Sequence, residues 1–190
     1  MRIVIAEDEA IIRMDLREIL QEHGCEVVGE AQCGAEALEL VREKRPDCVF
    51  MDIQMRGRDG LDAARVICEE GLSAVVMLTA FSQETFVKEA AEAGVMAYVT
   101  KPFSEADIMP ALHVACSRFE QTRALEAEVE GLQERLETRK VVERAKGILM
   151  REGMDEAEAF KRLQKSAMNA RKPIKDIAAA VITSDELRGC

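Results

Sequence analysis

Short apolar runs alternate with segments of helical periodicity along the first two thirds of the chain. The five apolar runs cover residues 3–6, 27–28, 48–51, 74–78 and 96–99. Each is followed by a segment whose apolar residues recur every three to four positions, at residues 11–20, 35–41, 61–67, 86–93 and 108–119. Strands that are apolar on both faces and alternate with helices predict an α/β fold, with a five-stranded parallel sheet covered on both sides.

The pattern changes after Phe119, where charged residues surround a short heptad series. Leu125, Val129, Leu132 and Leu136 follow one another at spacings of four, three and four residues, as in the seam of a coiled coil. A series this short also fits a solvated helix that packs on its own domain. We predict a helical coiled linker over residues 119–138 and favour a dimer.

The remaining segment has the pattern of three helices, over residues 139–152, 155–168 and 173–182. Gly153 ends the first helix, and Asp155 and Glu158 have the spacing of a capping box at the start of the second. We therefore divide the chain into a first domain at 1–118, the linker at 119–138, a three-helix domain at 139–182 and an untethered tail at 183–190.

Charge is unevenly distributed between these parts. The whole chain has a formal net charge of −10, yet residues 139–182 hold eleven Lys/Arg against six Asp/Glu. An acidic first domain is thus followed by a basic one. Its basic side chains can bind nucleic acid or pair with acids such as Glu143, Glu152 and Asp176, and composition leaves both interpretations open.

Composition also bears on where the protein works. No apolar run reaches the ~20 residues of a membrane span, and the N-terminus lacks the apolar stretch of a signal peptide. We expect a cytoplasmic protein without membrane contact. The six cysteines include no CxxC pair, and we interpret most of them as small buried hydrophobic residues.

Three carboxylates fall at the ends of predicted strands. Glu7 and Asp8 follow the first strand, and Asp52 ends the third, so a parallel sheet would bring them to one edge. Clustered carboxylates stay ionised only beside a cation, and oxygen ligands suit Mg²⁺. We expect Asp8 and Asp52 to be direct ligands and Asp52 to be a nucleophile toward a phosphoryl group.

The fourth and fifth predicted strands contribute three further side chains. Lys101 can place a positive charge beside phosphoryl oxygens, and the Thr79 hydroxyl can donate a hydrogen bond to them. Tyr98 precedes Lys101, and we expect it to move inward when Thr79 is drawn to the phosphate. Taken singly, each of these residues is an ordinary surface or helix-cap residue, so the argument rests on their combination.

The motifs IAEDEA, VFMDIQM, MLTAF and YVTKPF at successive strand ends resemble the response-regulator receiver family over residues 2–119. The resemblance implies a flavodoxin-like sheet of order 2-1-3-4-5 and phosphorylation of Asp52 by a partner histidine kinase. It also implies slow autodephosphorylation in a signalling protein that is not a conventional enzyme. Mg²⁺ would be held by Glu7, Asp8, Asp52 and the Gln54 carbonyl, with Thr79, Tyr98 and Lys101 at the family's switch and lysine positions. Arg56 departs from the proline usual at its position, which affects the shape of that loop.

The basic segment resembles a second family. AKGILM, EAF, SAMNAR and IAAAVI, over residues 136–182, are similar to the ANTAR output domain, which binds paired RNA hairpins and acts in transcription antitermination. The RNA-facing positions implied by this resemblance are Lys146, Gly147, Met150, Arg171 and Lys172. A missing side chain at Gly147 would let RNA backbone approach. We interpret Phe160 as a core residue, so that no aromatic side chain remains for base stacking.

Together these patterns predict a phosphorylation-dependent homodimer that presents two basic domains to two hairpins on one transcript. Phosphate on Asp52 would reorient Thr79 and Tyr98 and change the nearby helical surface. Three alternatives stay open: a DNA-binding regulator, an adaptor whose basic residues are paired internally, and a metal-dependent phosphatase of the same sheet class.

Overall fold

The computed structural model of the chain describes residues 1–55, 59–80 and 93–188. Five parallel strands form one sheet of order β2-β1-β3-β4-β5. Their bounds are β1 Arg2–Ala6, β2 Glu26–Ala31, β3 Cys48–Asp52, β4 Ala74–Thr79 and β5 Ala97–Thr100. The predicted five-stranded parallel sheet and its flavodoxin-like order are confirmed.

The helices are α1 Ala10–Glu22, α2 Gly34–Lys44, α3 Asp59–Glu69, α4 Glu105–Arg151, α5 Glu156–Ala170 and α6 Ile174–Arg188. The chain separates into two compact units, Met1–Ala124 and Leu125–Cys190. We call them the sheet unit and the helical unit. No helix among the described residues is both long and apolar enough to cross a membrane. Arg56 and residues 86–92 of the predicted helix at 86–93 lie outside the described residues.

Alternating side chains of the buried strands fill two cores, one on each face of the sheet. In β1, Val4 and Ala6 belong to the core beneath α2 and α3, whereas Ile3 and Ile5 belong to the core beneath α1 and the first turns of α4. This follows from the period of two in a strand. Packing on both faces fixes the register of the strands, and with it the positions of the residues that follow them.

The helical unit has a small core of its own. Ala145, Ala159, Leu163 and Ala178 are each at most 1% exposed and pack together. The capping box is present: Glu158 N donates to Asp155 Oδ1 at 2.8 Å, and Asp155 N donates to Glu158 Oε2 at 3.3 Å. Gly153, with φ +101°, follows the end of α4 in a backbone conformation that favours glycine.

Two helices are longer than the sequence predicted. Helix α4 runs through 47 residues, because residues 119–151 contain no proline and only two isolated glycines. Helix α6 continues through Arg188 and includes residues 183–188, which we had assigned to the tail. Asp185 and Glu186 tie this last turn to α4 through ion pairs with Arg151 and Arg144, at 2.8 and 2.7 Å.

Candidate functional site

The three carboxylates predicted to converge do so at the carboxyl edge of the sheet. Ala6 pairs with Met51 in the β1–β3 register, so Glu7 and Asp8 emerge beside Asp52. One carboxylate oxygen of each residue lies within 4.8 Å of the others. Glu7 is fully buried and Asp52 is 6% exposed. The edge therefore concentrates negative charge where little water can screen it.

Lys101 is the cation that faces this cluster. Its Nζ lies 2.8 Å from Asp52 Oδ2 and 2.5 Å from Glu7 Oε2, and its side chain is 10% exposed. The β4–β5 pairing places it, because Thr79 pairs with Thr100 and the Lys101 N–H donates to the Thr79 carbonyl at 2.7 Å. A single ammonium thus bridges the residues that end β1 and β3.

Burial and charge shift the pKa values of both partners. Burial raises the pKa of Glu7 above its ordinary value, and the charge of Asp52 adds to this, although Lys101 opposes it. Burial alone would lower the pKa of Lys101, but its hydrogen bond to Asp52 and its close contact with the Glu7 carboxylate raise it above its ordinary value. Lys101 is therefore charged at neutral pH, while the cluster still carries excess negative charge.

The donor set fits Mg²⁺. Among the described residues, Glu7 Oε2 is a buried oxygen that accepts no hydrogen bond of ordinary geometry, although the Lys101 ammonium is close. Such an oxygen favours a further cation, and ligands that are all oxygen suit a hard one. Gln54 donates its backbone N–H to Asp52 Oδ1 at 3.2 Å, so it orients the carboxylate that it follows. Coordination by the Gln54 carbonyl stays a prediction.

The two predicted switch residues differ in exposure. Thr79 ends β4 and is 5% exposed, so its side chain belongs to the buried edge. Tyr98 in β5 is 54% exposed. The structure thus has the aromatic ring largely in solvent, and its inward movement stays a prediction.

Sequence reasoning missed two residues that shape this edge. A Cβ on Gly60 would lie 1.9 Å from the backbone oxygen of Asp52, so only glycine allows α3 to pass this close to the strand end. Arg13 donates from Nη1 to the Glu7 carbonyl at 2.6 Å and pairs with Glu30 at 3.2 Å. A glycine eight residues after Asp52 at a helix start was a visible signal, whereas Arg13 carried none.

In the helical unit, Lys146 is not the exposed cation that the sequence predicted. It is 7% exposed, and its Nζ lies 3.0 Å from Glu143 Oε1 and 2.7 Å from Glu156 Oε1. The hydrogen bonds that its ammonium donates to Glu156 and Glu143 raise its pKa. Covering by neighbouring side chains explains the difference, because α5 brings Glu156 onto a residue that the sequence of α4 alone leaves at the surface.

The other four predicted RNA-facing residues are more accessible. Met150 is 44% exposed, and Arg171 and Lys172 are exposed in the connection between α5 and α6. Arg171 adopts φ +53° and caps α5 with its N–H directed at Ala167 and Met168. Gly147 is half-buried, and a Cβ there would meet no atom within 4 Å. Packing inside the unit therefore does not require a glycine at position 147.

Phe160 is not a core residue, so our interpretation of it was wrong. Its ring is 44% exposed, and it lines two cavities of about 590 and about 460 Å³, one toward Val142 and Ile174 and the other toward Lys146. The period of α5 gives its core positions to Ala159 and Leu163 instead. An aromatic surface is thus present in the helical unit.

The heptad series on α4 is exposed. Leu125, Val129, Leu132 and Leu136 are 63%, 51%, 50% and 58% exposed. No core of the described residues includes them. The interpretation as a helix that packs these residues on its own domain therefore loses support, and the stripe is available to a partner.

Two family models match the chain. The model of the response regulator receiver domain matches residues 3–113, and the model of the ANTAR domain matches residues 130–182. The first covers most of the sheet unit and the second most of the helical unit. The two matches follow the division seen in the structure.

Two individual proteins are similar to this chain in sequence. The chain is 53% identical to the transcriptional regulatory protein PdtaR of Mycobacterium tuberculosis over 182 residues, which are 95% of this chain and 89% of PdtaR. It is 40% identical to the chemotaxis protein CheY of Halobacterium salinarum over 112 residues, 58% of this chain and 92% of CheY.

Solved structures resemble the sheet unit. The signal receiver domain of the response regulator NarL from Mycobacterium tuberculosis matches with a TM-score of 0.58 and 29% identity, over 61% of this chain and 95% of that chain. A two-component response regulator of the LuxR family from Aurantimonas sp. SI85-9A1 matches with a TM-score of 0.58 and 33% identity, over 61% of this chain and 84% of that chain.

Proposed function

Since this chain belongs to the response regulators that join a receiver domain to an ANTAR domain, we propose that a histidine kinase phosphorylates it on Asp52 and that it then regulates transcription antitermination by binding hairpin RNA. The observation that carries the proposal is the convergence of Glu7, Asp8 and Asp52 at the sheet edge, with Lys101 paired to the two that are buried, Glu7 and Asp52. Neither carboxylate clustering nor a bridging lysine is needed to hold a parallel sheet together, so the arrangement calls for a chemical role.

Each residue of the cluster has a task in the proposed transfer. Asp52 attacks the phosphorus atom of the kinase phosphohistidine through a carboxylate oxygen, the P–N bond breaks, the imidazole leaves, and Asp52 becomes an acyl phosphate. Lys101, already 2.8 Å from Asp52 Oδ2, neutralises the oxygens of the arriving group, and the Thr79 hydroxyl donates to one of them. Glu7, Asp8 and Asp52 with the Gln54 carbonyl would hold Mg²⁺, which would screen the negative charge of the carboxylate and the phosphoryl group.

The phosphate on Asp52 alters the output through Thr79 and Tyr98. It adds about −1.5 to −2 charges at the sheet edge, and movement of Thr79 toward it leaves space that the exposed Tyr98 ring fills. The changed face of the receiver domain favours a homodimer. The exposed stripe Leu125, Val129, Leu132 and Leu136 supports this step, because apolar positions at heptad spacing pair well with a second copy.

RNA contacts fall to the accessible residues of the ANTAR domain. Arg171 and Lys172 bind phosphate, while Gly147 and Met150, one turn apart on α4, are uncharged positions that RNA can approach. Lys146 contacts the RNA while it stays paired with Glu143 and Glu156. The exposed ring of Phe160 adds a surface on which an unpaired loop base can stack.

A comparison of the wild type with Asp52→Asn tests this function. Each protein is treated with a small phosphoryl donor and Mg²⁺, and affinity for a two-hairpin RNA and mass in solution are measured at fixed salt. We expect treatment to raise the affinity of the wild type by about tenfold or more through dimer formation and to leave Asp52→Asn unchanged. Asp62→Asn, an exposed carboxylate on α3, is the matched control. Equal responses in all three proteins would contradict the proposal.

A protein-binding output is the second candidate function. It is favoured by the ion pairs that Lys146, Arg144 and Arg151 form within the helical unit, because internally paired cations are less available to phosphate. Duplex DNA and hairpin RNA at matched salt, tested against the treated wild type, separate the candidates. Binding to neither nucleic acid would favour the protein-binding output.

Replacing Gly147 with alanine should separate stability from RNA binding. The added Cβ meets nothing within 4 Å, and alanine in a helix interior is favoured over glycine by about 0.5–1 kcal/mol. We therefore expect the ANTAR domain to unfold at a higher temperature, while hairpin affinity falls because the methyl group stands where RNA approaches. Gly131→Ala, also on α4 with open space around its Cβ, should raise stability without loss of affinity. A Gly147→Ala protein that binds RNA as the wild type does would remove this residue from the interface.

A further inference from the structure

Arg13 connects helix α1 to the loop that carries two of the clustered carboxylates. This loop follows β1 and contains Glu7 and Asp8, and α1 begins just after it at Ala10. The Arg13 side chain donates from Nη1 to the Glu7 carbonyl oxygen at 2.6 Å. Because the side chain is only 15% exposed, water screens little of this interaction, and a hydrogen bond from a charged donor is strong there.

Both backbone polar groups of Glu7 have a partner outside the loop. Its N–H donates to the Ala31 carbonyl at 3.0 Å, and its carbonyl accepts from Arg13. A peptide unit is planar, so a fixed Glu7 carbonyl also fixes the direction of the Asp8 N–H and the position of the Asp8 Cα. Glu7 is fully buried, whereas Asp8 is half-buried. The bond from Arg13 therefore matters most for Asp8, the carboxylate of the cluster that packing holds least.

Glu30 holds the Arg13 guanidinium in this position. Its Oε2 accepts from Arg13 Nε at 3.2 Å, and Glu30 lies in β2 directly before Ala31. Strand β2 in turn pairs with β1, where Ala31 is opposite Ala6. A guanidinium can donate in two directions at once, whereas the ammonium of a lysine is a point charge on a flexible stem. One arginine thus joins α1, the loop and the neighbouring strand.

We propose that Arg13 is a positioning residue for Mg²⁺ binding, because its bond to the Glu7 carbonyl keeps the carboxylates of Glu7 and Asp8 at the metal-binding edge. This inference rests on the proposed function, to which the Mg²⁺ site belongs. A guanidinium has no acceptor atom, so Arg13 acts through the loop and is not itself a ligand. Removal of a group that orients metal ligands typically weakens metal binding by about tenfold or more.

The test measures Mg²⁺ binding to the full chain in the absence of a phosphoryl donor. Mg²⁺ is titrated into each protein by isothermal titration calorimetry, and the rise in unfolding temperature that it causes is recorded separately. Arg13→Met keeps much of the side-chain volume and removes the guanidinium. We expect its dissociation constant for Mg²⁺ to be about tenfold or more above that of the wild type, with a smaller rise in unfolding temperature at the same Mg²⁺ concentration. Circular dichroism checks that each protein is folded during calorimetry.

Phosphorylation of Asp52 separates positioning of the metal ligands from a general disturbance of the sheet edge. Phosphate incorporation from a small donor is measured against Mg²⁺ concentration. We expect Arg13→Met to need about tenfold or more Mg²⁺ for half of its maximal rate. Its maximal rate should stay close to that of the wild type, because Asp52 and its contact with Lys101 do not depend on Arg13. A lower maximal rate with unchanged Mg²⁺ dependence would contradict the proposal.

Arg17→Met is the matched control, since it removes the same charge from the same helix. Arg17 lies one turn after Arg13 and is 51% exposed, and it pairs with the other oxygen of Glu30, at 2.9 Å, rather than with the loop. We expect Arg17→Met to bind Mg²⁺ as the wild type does. Arg13→Lys keeps the charge but not the two-directional donor, so its Mg²⁺ affinity should fall between those of Arg13→Met and the wild type. It also provides the comparison if Arg13→Met does not fold.

Two results with the variants would overturn the role of Arg13. The first is wild-type Mg²⁺ affinity in both Arg13→Met and Arg13→Lys. The second is an equal loss of affinity in Arg17→Met, which would assign the effect to the charge of α1 and not to the bond with Glu7. A wild type that binds no Mg²⁺ would instead contradict the metal site, and the proposed function with it. That failure is distinguishable, because it appears in the wild type before any variant is compared.

Discussion

Replacing Lys101 with methionine destabilises the receiver domain by about 3 kcal/mol at neutral pH. The ammonium lies 2.8 Å from Asp52 and 2.5 Å from Glu7, and none of the three side chains is more than 10% exposed. Methionine keeps most of the volume but removes the charge, which leaves two buried carboxylates facing each other. Losing one partner of a buried ion pair is costly because the remaining charge stays desolvated.

The loss of unfolding free energy in Lys101→Met should depend on pH, because Glu7 takes up a proton as the pH falls. The pKa of Glu7 is raised above 4.5 in the folded state. Between the unfolded and the folded pKa, the folded state keeps a proton that the unfolded state has released, so stability falls as the pH rises through this interval. Without Lys101 the pKa of Glu7 rises further and the interval widens. The deficit of Lys101→Met is therefore largest at neutral pH and shrinks as the pH is lowered toward about 5.

The pH dependence that comes from Lys101 itself lies in the alkaline range. Its folded pKa is raised above 10.5, so its stabilisation of the wild type is present at neutral pH and is lost only as the solution becomes strongly alkaline. Urea unfolding followed by circular dichroism, from about pH 5 to about pH 8, measures the effect of Glu7, and the contribution of Lys101 should stay constant over this range. Added Mg²⁺ should restore part of the lost stability, because it supplies positive charge to the same carboxylates.

The control for Lys101→Met is Lys44→Met. Lys44 pairs with Glu43 at 2.7 Å, but both side chains are exposed, and exposed ion pairs contribute little to stability. We expect no measurable change in its unfolding free energy across the same pH range. A Lys101→Met deficit that is constant with pH would contradict the role given to Glu7.

The sheet and its acidic edge could be predicted from sequence because both depend on local patterns. Strands buried on both faces have continuous apolar sequences. The carboxyl ends of parallel strands meet at one edge of the sheet, independently of the conformation of the loops. Glu7, Asp8 and Asp52 were therefore placed correctly before any geometry was available. Lys101 followed from the same rule, since it comes directly after β5.

What escaped prediction depends on contacts between segments. Lys146 is covered by Glu156 from another helix, and no pattern along α4 reveals that. Phe160 looked like a core residue by composition, yet the neighbouring Ala159 and Leu163 take the inner positions of α5. The extension of α6 through Arg188 relies on ion pairs to α4, which propensity alone does not give.

Replacing Gly60 with alanine should disrupt the phosphoacceptor strand more than any other single methyl group added to the described glycines. The new Cβ would lie 1.9 Å from the Asp52 carbonyl oxygen and 3.2 Å from that of Ile53. Both neighbours are backbone atoms, so the strain cannot be relieved by turning a side chain. Either the start of α3 or the end of β3 must move, and we expect a loss of about 3 kcal/mol in unfolding free energy.

Movement at Asp52 should also slow its phosphorylation. An Asp52 carboxylate displaced by about 1 Å from Lys101 and the metal ligands reacts about 100-fold more slowly, measured as phosphate incorporated from a small donor per minute. The control is Gly131→Ala, whose Cβ meets nothing within 4 Å and which should incorporate phosphate at the wild-type rate. If Gly60→Ala is destabilised but phosphorylated at the wild-type rate, the start of α3 has shifted and the end of β3 has not moved. Loss of both properties means that the close approach of α3 is what fixes the phosphoacceptor, because then the strand end is the part that moves.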